Sequence, residues 1–183
     1  MTENIFTDQL PALVNLQDST YTLGTTFSSD VDGLILGTRV YVGEVPTSPS
    51  PTGLLYLATS ATTGILLASK AFGILIPGEW NEILFDTPVE IIADQVYVTA
   101  WGPTNNYSAT GGMFNSSSVI NGHLSALMTT FDRPNGKFHV GTSFTFPDET
   151  FNGGGYFVDT IFESAGEESV SYLKNSFFFG AAV

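Results

Sequence analysis

The chain has no cysteine, so no disulfide can cross-link it and its redox compartment stays open. Positive charge is almost as scarce. Arg39, Lys70, Arg133, Lys137 and Lys174 face 18 acidic residues, a formal net charge of −13. A field of that sign repels phosphate backbones, which excludes nucleic acid as a partner, and it disfavours anionic membranes. The longest apolar runs, such as residues 73–77 and 177–183, fall far short of the ~20 residues that span a bilayer. No membrane insertion is expected. Residues 1–13 carry Glu3 and Asp8 and have neither a basic opening nor a long apolar run, so no signal peptide is expected either.

Catalytic signatures are equally absent. There is no nucleophile elbow, no phosphate-cradling glycine loop and no pair of histidines one helical turn apart. His123 and His139 are the only histidines, and neither has Ser and Asp at a meaningful spacing. Asp30-Val31-Asp32-Gly33 resembles the start of a calcium loop but lacks the later oxygen ligands and the closing Glu, so a hairpin turn is expected there. Carboxylate pairs such as Asp86 with Glu90 and Glu79 with Glu82 are what chance supplies among so many acids. The expectation is a protein without enzymatic activity, cofactor or metal.

Apolar material, in contrast, is abundant. Hydrophobic residues make up 43 % of the 183, with 15 Phe, 7 Tyr and 2 Trp, ample for one domain with a real core. Nineteen Gly and nine Pro are spread along the chain and mark frequent turns. Charged residues are only 13 %, about half the usual share, so Ser, Thr, Asn and Gly must build the solvated faces. Such surfaces suit extracellular modules and proteins that assemble into particles.

The organising stretch is residues 78–101. Its three apolar runs, 80–85, 89–92 and 96–101, are rich in Val, Ile, Phe, Tyr and Trp, which fits strands. Thr87-Pro88 separates the first two, and Ala93-Asp94-Gln95 the last two. The pattern predicts a central meander whose last strand is covered on both faces. Further strands are predicted at 21–28, 34–42, 54–58, 64–72, 124–131, 138–146 and 156–162, with an extended N-terminal segment along the sandwich edge. The fold expected is all-β, a single antiparallel, jelly-roll-like β-sandwich over residues 1–163. Phe27, Leu36, Val40, Leu55, Leu67, Phe85, Val96, Val98 and Phe162 are the expected core.

Residues 102–137 are polar, with 103–112, 115–123 and 132–136 reading as loops. Binding sites tend to sit on loops held by a rigid scaffold, so Tyr107, Phe114 and His123 are candidate glycan or partner contacts. Trp80 and Trp101 could stack on a sugar ring, and Trp101 joins the candidate contacts; core or rim packing is the stronger reading of both, since Trp80 starts an apolar run and Trp101 ends one.

Leu23-Gly24-Thr25-Thr26-Phe27 with Asp30-Val31-Asp32-Gly33 and Gly37-Thr38-Arg39-Val40-Tyr41 resembles the opening of an uncharacterised bacterial domain-of-unknown-function family, number four thousand and eighty-two. Gly64-Ile65-Leu66-Leu67-Ala68, Gly78-Glu79-Trp80 with Thr87-Pro88-Val89 and Tyr97, and Phe146-Pro147 with Tyr156-Phe157-Val158-Asp159-Thr160-Ile161-Phe162 continue the pattern. The resemblance covers roughly residues 10–163. It implies a sandwich similar to carbohydrate-binding modules, found in secreted bacterial proteins, and carries no catalytic residue. The extra region 102–140 and the tail 164–183 depart from the pattern, as does the missing signal peptide. The expected role is therefore a non-enzymatic structural protein on a bacteriophage exterior, a minor tail or capsid decoration protein assembled in the host cytoplasm. It would contact other virion subunits, copies of itself or a host-surface glycan. The alternative is an extracellular carbohydrate-binding or adhesion module of a bacterial surface protein. Phe177, Phe178 and Phe179, in a terminal stretch without charge or hydroxyl, are the expected subunit-docking residues.

Overall fold

A computed structural model describes residues 1–47 and 51–165. Fourteen strands and no helix occur among them. The first half of the chain forms β1 (Thr2–Glu3), β2 (Leu13–Leu16), β3 (Tyr21–Ser29), β4 (Gly33–Val42), β5 (Thr52–Ala58), β6 (Gly64–Ala71) and β7 (Glu79–Ile91). The second half forms β8 (Tyr97–Thr104), β9 (Tyr107–Ala109), β10 (Val119–Asn121), β11 (Leu124–Ala126), β12 (Lys137–Val140), β13 (Glu149–Thr150) and β14 (Val158–Ser164). Every pairing is antiparallel. One sheet runs β1-β14-β4-β7, the other β10-β11-β3-β8-β5-β6, with β12 on the free half of the β3 edge, and β2 pairs with β9 as a small third sheet. The two main sheets pack as a sandwich.

The uncharged strand β8 is buried along its whole length, paired with β3 on one side and β5 on the other. Thr99 faces the smaller sheet, donating to the Asp159 carbonyl at 3.1 Å. Val98 and Ala100 point the other way and are covered by Phe146, Leu54 and Tyr56. Coverage on both faces is what its uncharged sequence suggested.

The expected central meander is corrected in two respects. β7 continues through Thr87-Pro88 as one strand of 13 residues. Proline is tolerated because β7 is an edge strand, and its register with β4 slips here, Ile35 facing Val89 while Gly37 faces Leu84. In addition β7 and β8 lie in different sheets, so the residues between them cross the sandwich. The Asp30-Val31-Asp32 turn crosses in the same way, from β3 to β4, and is no hairpin. The two crossings bond to each other, Ala93 N–H to the Asp32 carboxylate at 2.8 Å and Asp94 N–H to the Ser29 carbonyl at 2.8 Å.

Between the sheets Phe27, Ile35, Leu55, Phe85, Ile91, Tyr97 and Phe162 form one core cluster. Leu23, Val40, Val42, Phe72, Trp101 and Val158 belong to a second. Of the expected core, Leu36 and Val96 are half-buried and Leu67 is exposed, at 37 %. Leu67 lies on the outermost strand of its sheet, where the β5–β6 register slips between Leu55 and Tyr56. The predicted strands 124–131 and 138–146 shorten to β11 and β12, and the rest of each run is irregular.

A buried ion pair ties the N-terminal segment down. Asp159 on β14 is fully buried and accepts from Arg39 Nε at 2.9 Å and Nη2 at 2.8 Å. It also accepts from the Ile5 and Phe6 amides at 2.9 and 3.0 Å, and Arg39 Nη2 donates to the Phe6 carbonyl. Residues 2–6 thus lie against β14, while residues 13–16 pair with β9 instead. The chain of the sandwich runs to Ala165, whose N–H meets the Asp32 carbonyl at 3.0 Å. Phe177, Phe178 and Phe179 fall outside the described residues.

Candidate functional site

At one end of the sandwich the second core cluster reaches the surface and opens into a cleft of about 250 Å³. Five segments build it. Asp18 comes from the loop after β2, Tyr21 and Leu23 from β3, and Tyr107 from β9. Phe138 comes from β12, and Phe151 and Tyr156 from the loop between β13 and β14. β3 contributes two walls because alternate residues share a face.

The rings interlock edge to face. Tyr21 meets Tyr107 at 5.4 Å between centroids and 78°, and Phe138 at 5.9 Å and 85°. Tyr107 meets Tyr156 at 5.9 Å and 72°. Such contacts add roughly 0.5–1.5 kcal/mol each beyond burial, so the wall is rigid before any ligand arrives. Phe151 is different: it is 73 % exposed and stands free at the rim.

Polar groups are few. The Tyr107 hydroxyl donates to Asp18 Oδ1 at 3.2 Å. Burial, reinforced by the Asp18 carboxylate, pushes the Tyr107 hydroxyl far above the ordinary tyrosine range. Burial likewise pushes Tyr156 up to about 12, with smaller effects from Tyr21 and Asp18, and raises Tyr21. All three hydroxyls therefore stay protonated at neutral pH and can both donate and accept. Asp18 is the only acid among the described residues lining the cleft.

Of the candidate contacts read from the sequence, Tyr107 alone lies in this cleft. Trp101 sits in the core cluster behind it, 1 % exposed and edge-on to Phe72 at 6.3 Å, so it offers no face to a ligand. It lies on the fully buried strand β8. Phe114 is also fully buried, in the other core cluster. His123 is half-buried elsewhere, its Nδ1 2.7 Å from Asp30 Oδ1 and its N–H donating to Glu3 at 2.7 Å. Trp80, the other sugar-stacking candidate, carries Arg39 4.3 Å above its ring and stacks on Phe6 at 6.0 Å.

The sequence reading missed Asp18, Tyr21, Phe138, Phe151 and Tyr156. Tyr21 was read only as the start of an alternating strand, and nothing local links it to Tyr156. No curated protein matches the chain. A family profile described as Domain of unknown function (DUF4082) matches residues 8–158, most of the sandwich and all the residues named in this cleft, and the chain belongs to that family.

Proposed function

We propose that the protein is a non-enzymatic carbohydrate-binding module whose ligand, a neutral or amino-bearing sugar, enters the cleft of Tyr21, Tyr107, Phe138, Phe151 and Tyr156. The observation that carries this reading is the interlocked aromatic wall with protonated hydroxyls and one carboxylate. Sugar rings present an apolar C–H face to an aromatic ring and hydroxyls to its polar neighbours. Binding without turnover fits a lining whose one acid among the described residues is Asp18, because glycoside hydrolysis generally uses a pair of carboxylates. The net charge of −13 and Asp18 both disfavour anionic glycans at this cleft.

The test is retardation on polysaccharide affinity gels, followed by calorimetry with the retaining sugar. Phe151→Ala removes an exposed ring, leaves the core intact, and is expected to weaken binding about tenfold, or ~1.4 kcal/mol. Tyr107→Phe should weaken it several-fold. Absence of retention on neutral and amino-sugar gels alike, or retention unchanged in both variants, would overturn the reading.

A structural role on a bacteriophage exterior is the second reading. It is favoured by the low charged fraction and by exposed apolar side chains on the two adjoining edge strands, Ile65, Leu66 and Leu67 on β6 and Leu84 on β7. A minor tail or decoration protein would be found in purified particles at fixed copy number. Its absence from particles of the encoding phage rules that reading out.

A further inference from the structure

Strand β12 turns adjacent residues to opposite faces, so Phe138 borders the aromatic cleft while Lys137 borders a second one. This second cleft, about 200 Å³, lies over Val98, on the face of β8 turned away from the smaller sheet. Residues 58–61 form one wall and residues 132–134 the other, with Val96 and Phe146 as its apolar lining.

Lys137 is 1 % exposed. Its ammonium donates to the Ala61 carbonyl and lies 5.5 Å from the centre of the Phe146 ring. Asp148, the acid that most influences it, is bonded to His139 Nδ1 at 2.8 Å. Among the described residues Lys137 forms no ion pair. An ammonium has three protons to donate, and burying its charge without a counter-ion is unfavourable. Burial accordingly pushes the amine down to about 8.

The distribution of cations points the same way. Arg39 is engaged by Asp159 and Lys70 by Asp86, and Lys174 lies outside the described residues. The two that remain, Lys137 and Arg133, border the same cleft, with Asp132 as its one acid among the described residues. Arg133 also has no ion pair among the described residues. In a chain of net charge −13, this is where an anion is welcome.

We propose that this cleft binds a small carboxylate-bearing ligand, its carboxylate on the Lys137 ammonium and the Arg133 guanidinium and its body against Phe146 and Val96. The proposal is independent of the glycan reading of the aromatic cleft. Its ligand chemistry has two sources, an acidic sugar or a free organic acid.

Two-dimensional amide NMR of the full chain at pH 6.5 tests it, with glucuronate and benzoate as carboxylate probes and glucose and benzamide as their neutral counterparts. At least one carboxylate should shift the Ala61, Arg133 and Lys137 amides saturably, and the neutral counterparts should not shift them. The tighter of the two carboxylates identifies the source. Lys137→Met should abolish the shifts, and Arg133→Gln, at an exposed position, should weaken binding at least threefold. If Lys137→Met fails to fold, Arg133→Gln decides. Unchanged affinity in Arg133→Gln, equal shifts by the neutral compounds, or no response to either carboxylate would overturn the proposal. A response confined to the Tyr21, Tyr107 and Tyr156 amides would also overturn it, while bearing on the aromatic cleft alone.

Discussion

Asn135 uses its side-chain amide as a missing strand rung for Thr26: Oδ1 accepts from the Thr26 N–H at 2.7 Å, and Nδ2 donates to the Thr26 carbonyl at 2.8 Å. The edge of β3 is shared, β12 pairing residues up to Gly24 and β11 pairing from Phe27 onward. Thr26 falls in the gap. Asn135 fills it, fully buried, and also donates to the Leu127 carbonyl at 2.7 Å.

Replacing Asn135 by Ala leaves the buried Thr26 N–H and the half-buried Leu127 carbonyl without partners, while the Thr26 carbonyl keeps the Leu127 N–H at 3.0 Å. Each such group costs roughly 1–3 kcal/mol, so Asn135→Ala should destabilise by about 2–4 kcal/mol in urea unfolding. Asn135→Asp keeps the acceptor but loses both donated bonds, and should also destabilise. A loss under about 1 kcal/mol in the alanine variant would show that the gap closes without the amide.

The Arg39–Asp159 pair has a different signature. Removing one partner of a buried, hydrogen-bonded pair costs about 3–5 kcal/mol, and Asp159→Asn or Arg39→Met should each lose that much. Because Asp159 also holds the Ile5 and Phe6 amides, both variants should expose those amides to rapid hydrogen exchange. Global destabilisation with those amides still protected would mean the N-terminal segment is held by other contacts.

Core and edge leucine-like positions should separate cleanly. Phe162 is fully buried between the sheets, so Phe162→Ala should cost about 3–5 kcal/mol. Leu67 is 37 % exposed on the outer strand, and Leu67→Thr should stay within about 1 kcal/mol of wild type. Comparable losses in the two variants, by chemical denaturation, would contradict the edge placement of β6.

Stability should peak in mild alkali. The Lys137 amine is lowered by burial from 10.5 to about 8, so the folded state disfavours its charged form. That penalty is fully present below pH 8 and is lifted as pH rises toward 10.5, because the unfolded chain then binds the extra proton. Tyr56 and Tyr156 are raised by burial from 10.0 to about 12. Above pH 10 the unfolded tyrosines lose protons that the folded ones keep, and stability falls. Urea midpoints from pH 7 to 11 should therefore rise and then drop, and Lys137→Met should remove the rise but keep the drop.

The strands beginning at Tyr21, Gly33, Thr52 and Gly64 were legible to within two residues, because alternation and flanking turn residues act locally. The double coverage of β8 was legible from one continuous run, and the all-β class and the family from short motifs in a fixed order along the chain. Pro88 misled because tolerance of a missing N–H depends on whether the strand is an edge, which no local pattern states. Trp101 and Phe114 looked available for the same reason: aromatic side chains near loops read alike whether a second sheet covers them or not. The aromatic cleft gathers Asp18, Tyr21, Tyr107, Phe138 and Tyr156 from segments up to 138 residues apart, counting from 18 to 156. Sequence by itself determined that the chain would form strands, where several of the longest begin, and how much apolar surface they carried. Tertiary structure alone decided which of those surfaces met, because pairing between distant strands is set by the closure of the whole sandwich and not by any neighbour along the chain.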